Sequence, residues 1–274
     1  MATPLKSAMC LAVAALSAGC ITFDQQTVSY EHDAAGDRLR VHILYAGIHG
    51  EARATGLSEA EQADLLEVGA GRQIYLFEKW LPLVDLDALC LAMAEPVDPL
   101  ASEAARQAEI ALRDWWTLLA ANVQISNGPF YIDGAGHLSA VQHVTISNVR
   151  ALVMSGNRVW RLQAEARLMD EPEWTIAAGI AEPVELNGNQ LILRYPAVDE
   201  VPGERRWLDA GILNIADGVV TLTLGSPAAP RVAFVTPSAN QYLPNAVEFV
   251  RQRFGLAAQF DPGADMDTFF RGSR

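Results

Sequence analysis

Cysteine is scarce in this chain of 274 residues, which has only Cys10, Cys20 and Cys90. A small disulfide-stapled scaffold is therefore excluded, and stability has to come from an apolar core. Basic residues are also few: 20 Lys and Arg stand against 33 Asp and Glu, a formal net charge of −13. That balance opposes binding to nucleic acid or to anionic headgroups. No apolar run reaches the roughly 20 residues that a membrane-crossing helix needs. The longest apolar segments are interrupted by charge or proline, as at Glu78, Lys79 and Pro82. There is no H-E-x-x-H, no Gly-Lys-Ser/Thr phosphate loop, and no glycine fingerprint following a strand. Half of the residues are hydrophobic, so a sizeable core can form and disorder is excluded.

The amino terminus carries the most specific signal. Lys6 precedes an uncharged, mostly apolar run of about 13 residues from Ser7 to Gly19, the length of a signal-peptide core. Small residues Ser17, Ala18 and Gly19 then lead into Cys20. The run Leu16-Ser17-Ala18-Gly19-Cys20 resembles the lipobox of bacterial envelope lipoproteins, with Ser17 where that pattern usually has Leu. The resemblance covers residues 1–20 and carries no activity. It implies cleavage before Cys20 and acyl chains on that residue, enough for stable anchoring to a membrane. Ile21, a residue other than Asp after the cysteine, implies by the same resemblance the periplasmic face of the outer membrane. Cys90, in an apolar setting, then reads as a small buried core residue.

Strand pattern begins almost at once after Cys20. Residues 27–33 and 37–47 read as two strands around Asp33-Ala34-Ala35-Gly36-Asp37. Ser58-Glu59-Ala60-Glu61 is a capping box for a helix ending at Gly69. Residues 73–78 suggest a strand, and Asp98-Pro99 starts a helix to about Ala121. Val123–Ile125, Phe130–Ile132 and Leu138–Ile146 read as strands, and Asn148 can cap a helix to about Leu168. Asn187-Gly188 and Asp217-Gly218 each mark a hairpin. Val232–Val235 suggests a strand, and Asn240–Phe254 a helix stopped by Gly255. The expected class is α+β: mainly antiparallel sheet built from hairpins, with about four helices packed on it. The expected organisation is a signal peptide over 1–19, a short lipid-anchored tether over 20–26, a single domain over 27–260 and a peripheral tail over 261–274.

The candidate chemistry is thin. Gly56-Leu57-Ser58-Glu59-Ala60 approaches a nucleophile elbow but lacks the preceding strand, so Ser58 reads as a cap. His137 and His143, six residues apart in one strand, are separated by about 20 Å, too far to share a metal. His42 alternates with core residues and reads as a hydrogen-bonded sheet residue. His49, beside Gly47 and Gly50, is a ligand-binding candidate in a loop, and Trp116 of the pair Trp115-Trp116 is a second. The acid pairs Asp85/Asp87, Glu171/Glu173 and Asp265/Asp267 read as solvated, and Asp261, Asp265 and Asp267 miss the calcium-loop spacing. The expectation is a membrane-anchored, non-catalytic binding or scaffold protein of the cell envelope. It has Cys20 as lipid site, no metal, no cofactor, no nucleic acid and an envelope protein as possible partner. The alternative is a periplasmic hydrolase using carboxylates assembled by the fold.

Overall fold

Alternation of side chains along residues 25–46 builds the centre of the molecule. The computed structural model describes residues 21–50, 56–70, 102–166, 182–194, 213–216, 219–237 and 242–272. Within it, β2 (Gln25–Asp33) and β3 (Arg38–Ala46) pair antiparallel around the expected turn. Asp33 closes that turn, accepting from the Gly36 N–H and from the Arg38 guanidinium. These two donors hold its carboxyl below the usual range.

Strand β6 (Leu138–Ser147) pairs with β3, and β5 (Val123–Ile132) pairs with β6. On the other flank β11 (Arg231–Pro237) pairs with β2, giving the order β11-β2-β3-β6-β5, antiparallel throughout. A second sheet begins with the hairpin of β7 (Val184–Asn187) and β8 (Gln190–Arg194). Gly188 sits at φ +59°, the left-handed backbone its tight turn demands. With β9 (Leu213–Ala216) and β10 (Val219–Thr223) the order is β7-β8-β10-β9. The fold is thus α+β with antiparallel sheets.

Helix α1 (Glu59–Gly69) starts with the expected capping box: Ser58 Oγ accepts from the Glu61 N–H, and the Glu61 carboxylate from the Ser58 N–H. Helix α2 (Glu103–Asn122) takes Ser102 as its cap, while the Asp98-Pro99 start lies outside the described residues. Helix α3 (Val149–Glu165) follows Asn148, which is left-handed at φ +53° and makes no side-chain cap. A short 3-10 turn, Pro244–Ala246, leads into α4 (Val247–Arg253), which ends at Gly255 with φ +77°. The last helix is α5 (Pro262–Arg271).

One face of the five-stranded sheet forms the core. Val28, Tyr30, Val41, Ile43, Tyr45, Val144 and Ile146 are buried in one cluster with Leu119, Val149 and Leu152 from α2 and α3. Fully burying one such aliphatic side chain contributes about 1.5–3 kcal/mol. Three polar side chains on this face are linked in a chain: Tyr45 Oη donates to Gln142 Oε1, and Gln142 Nε2 to Asn127 Oδ1. Asn157 of α3 pins the second sheet, donating to the Val184 carbonyl and accepting from its N–H.

Two expectations about the ends need correcting. In place of a tether, β1 (Ile21–Thr22) pairs with β4 (His49–Gly50), and Ile21 and Phe23 are buried in the core. Aromatic and aliphatic side chains directly after Cys20 were bound to seek the core and leave no free spacer. In place of a peripheral tail, residues 262–271 form a helix docked on the sheet, with Phe270 buried. Cys20, Cys90, the segment 73–91, Glu171/Glu173 and the Asp217-Gly218 turn lie outside the described residues.

Candidate metal centre

The opposite face of the same sheet is polar. Residues that face each other across an antiparallel pair share a face. The register aligns Ser29 with His42, His42 with His143, and His143 with Ser126. The two histidines therefore stand side by side on the central strands, their ring centres 5.3 Å apart.

Helix α5 supplies the third group. Asp261 caps it, accepting from the N–H groups of Gly263 and Ala264, and Pro262 fixes its first turn. One turn on, Asp265 turns toward the sheet. Its Oδ2 lies 3.1 Å from His42 Nε2 and 2.7 Å from His143 Nε2. Phe269 falls four residues later on the same helix face. Its ring stacks on His143 at 4.5 Å, with planes 13° apart. The helix end is fixed from below by Arg40, whose Nη1 donates to the Phe270 carbonyl and pairs with Glu31 at 3.1 Å.

Burial acts on the protonation of His42. His42 is buried, and loss of hydration pushes its pKa down; the hydrogen bond to Asp265 opposes this, and the nearby His143 adds to it. The neutral imidazole so favoured is the form that ligates metals. Ser29, facing His42, has its hydroxyl oxygen buried without a hydrogen-bond partner.

The ligand atoms of His42, His143 and Asp265 all lie within 4.8 Å of one another. A tetrahedral ion with bonds near 2.0–2.1 Å places its ligand atoms about 3.3 Å apart. Against that spacing the 2.7 and 3.1 Å separations have to open by about 0.6 and 0.2 Å, while the two imidazole nitrogens lie within 4.8 Å of each other. The geometry fits an ion bound by two imidazoles and one carboxylate, with a position left for water or another ligand.

Two other histidines gather around a second aspartate. His137 Nδ1 is 3.4 Å from Asp24 Oδ2, and His49 Nδ1 is 4.0 Å from Asp24 Oδ1. Tyr242 stacks on His137 at 4.0 Å and meets His49 edge-on. His49 Nδ1 is held 2.8 Å from the Gly47 carbonyl. Gly47, at φ +72°, is required here: a Cβ would come 2.3 Å from Asp24 Oδ2. Burial raises the Asp24 pKa above 3.8, and this outweighs the opposing His49 and His137. A raised carboxyl pKa makes the ionised form a cost to folding that disappears as pH falls through the folded value. Asp24→Asn is therefore expected to raise the urea midpoint at pH 8, with the gain shrinking as pH falls toward 3.8. An equal gain at both ends of that range would refute the assignment.

The sequence candidates fare unevenly. His49, expected in a surface loop, is 1% exposed and lies in a strand. Trp116 packs partly buried against the core, its ring 4.6 Å from Trp115. His137 and His143 are indeed separated, each joining a different aspartate. His42 is the hydrogen-bonded sheet residue expected, with Asp265 as its partner, whereas Asp265, read as solvated, is turned in against the sheet. The signal for both was present in part: histidines at polar positions of alternating strands, and an acid one turn after an Asp-Pro helix start. A partly open cavity is lined mainly by apolar groups, Phe23, Leu65 and Phe130 among them, with Asn127 and Gln142. No protein-family model, curated protein or solved structure matches this chain.

Proposed function

We propose that this protein is a lipid-anchored, non-catalytic binding protein of the cell envelope, and that the species it binds is a divalent transition-metal ion. The observation that carries the metal reading is the convergence of His42 Nε2, His143 Nε2 and Asp265 Oδ2 from two strands and a helix. This replaces the expectation that no metal is bound. Imidazole nitrogens with one carboxylate suit zinc, iron, nickel or copper, whereas calcium and magnesium take oxygen ligands. The envelope reading rests on residues 1–20 and on Cys20. No described helix is long and apolar enough to cross a membrane.

Calorimetric titration of chelator-stripped protein with Zn2+ tests the metal reading. One equivalent is expected to bind. His143→Ala is expected to weaken affinity by more than the roughly 10–100-fold typical of losing a group that merely orients a ligand. Absence of binding, or equal affinity in His42→Ala and His143→Ala, would overturn it. For the anchor, labelled palmitate should enter the wild-type chain in a bacterial host and be lost in Cys20→Ser. Equal labelling of both would refute lipid attachment at Cys20.

A further inference from the structure

We infer that the ion acts as a latch between the carboxy-terminal helix α5 and the sheet, so that metal loading sets how firmly this helix is docked. The inference rests on the metal reading above. The three ligands are divided unequally. His42 and His143 belong to the two central strands β3 and β6, paired over their full lengths. Asp265 alone belongs to α5. An ion bound by all three therefore bridges two elements, and it can keep its carboxylate ligand only while the helix is docked.

Without an ion, α5 is held by the Asp265 contacts to both imidazoles, by Arg40 on the Phe270 carbonyl and by its phenylalanines. It has ten residues, too few to be stable as an isolated helix. Of its side chains only Phe270 is fully buried, while Gly263, Ala264, Asp267, Thr268 and Arg271 are exposed. Before it, the chain is fixed by the Ala257 N–H bond to the Phe130 carbonyl and by the Phe260 ring on Tyr131 at 4.7 Å. That attachment leaves a fixed pivot on the sheet just ahead of the helix. The helix meets Arg40, His42 and His143, with Ser29 and Glu31 on the same sheet face beside them, all groups that water can solvate. The apolar part of the helix's hold comes mainly from Phe269 and Phe270. A ligand that binds only the docked state adds to these contacts by its differential affinity for that state.

Hydrogen exchange on the full-length chain, followed by mass spectrometry of peptides covering residues 262–271, reads the latch directly. With Zn2+ at about 100 times its dissociation constant, exchange of α5 amides should slow by about 100-fold relative to chelator, with β3 and β6 amides changing far less. Asp265→Asn should abolish the slowing. Phe270→Ala, which keeps all three ligands, should speed exchange in chelator and still show slowing with Zn2+. If Zn2+ binds stoichiometrically yet α5 exchange is unchanged, the latch is overturned and the metal site stands. If Zn2+ slows α5 equally in Asp265→Asn, the latch is likewise overturned. If calorimetry shows no binding at all, the underlying metal reading fails as well.

Discussion

Replacing Arg40 by alanine is expected to destabilise the protein by about 3–5 kcal/mol. Arg40 and Glu31 face each other across β3 and β2, their charged atoms 3.1 Å apart, with side chains 4% and 0% exposed. In water such a pair would contribute little, but here both partners have lost their hydration. Truncating the arginine removes the cation and leaves the Glu31 carboxylate in a site that water does not reach. It also removes the donor to the Phe270 carbonyl at the end of α5. Urea unfolding at neutral pH measures the loss. Adding Glu31→Gln to Arg40→Ala should recover part of it, since the stranded charge is then gone. A loss below about 1 kcal/mol for Arg40→Ala would mean that the pair behaves as an exposed one.

Saturating Zn2+ is expected to stabilise the fold by about 2.7 kcal/mol at 100 times its dissociation constant, and by about 4.1 kcal/mol at 1,000 times. The size of this effect depends on the unfolded chain being a poor ligand. His42 and Asp265 are 223 positions apart, and His143 lies 122 positions before Asp265. Only folding brings them together, so almost all of the binding free energy becomes folding free energy. For a chain of this length the melting temperature should rise by several degrees, roughly 2–4 °C per kcal/mol. Thermal scans in Zn2+ and in chelator measure the shift. Asp265→Ala should show almost none of it, and a shift of equal size in that variant would place the stabilising ion elsewhere.

Local features of the fold were legible wherever the chain's own chemistry decided them. Ser58 with Glu61 made a capping box because both partners lie within one turn. Asn187-Gly188 made a hairpin because its tight turn needs positive φ. The alternation in β2, β3 and β6 was legible for the same reason. Tertiary facts were not. Nothing in residues 38–46 or 138–147 states that these two strands pair, because their partners are chosen by competition among all strand faces. His42 therefore read as a hydrogen-bonded sheet residue whose partner the sequence did not name. His49 was misjudged because its flanking glycines suggest a loop, yet Gly47 serves to let Asp24 approach the backbone. Asp265 was misjudged because an acid in a polar terminal segment looks solvated until the face it meets is known. The carboxy-terminal segment looked peripheral because its helix is short and carries few apolar residues.

The pairing of β3 with β6 imposes a reading frame on the site. Side chains alternate with a period of two, so a one-residue slip in either strand turns its whole set to the other face. In the present register Arg40, His42 and Leu44 face one way, and Val41, Ile43 and Tyr45 the other. A single deletion between Leu138 and His143, with the strand start held in place, would send the imidazole toward the core and bring Gln142 or Val144 neighbours out in its stead. Point changes around the histidines can be absorbed, but a change of strand length by one cannot. Variation that preserves this protein's centre should accordingly be rich in substitutions within β3 and β6 and confined, for insertions and deletions, to the turns between strands.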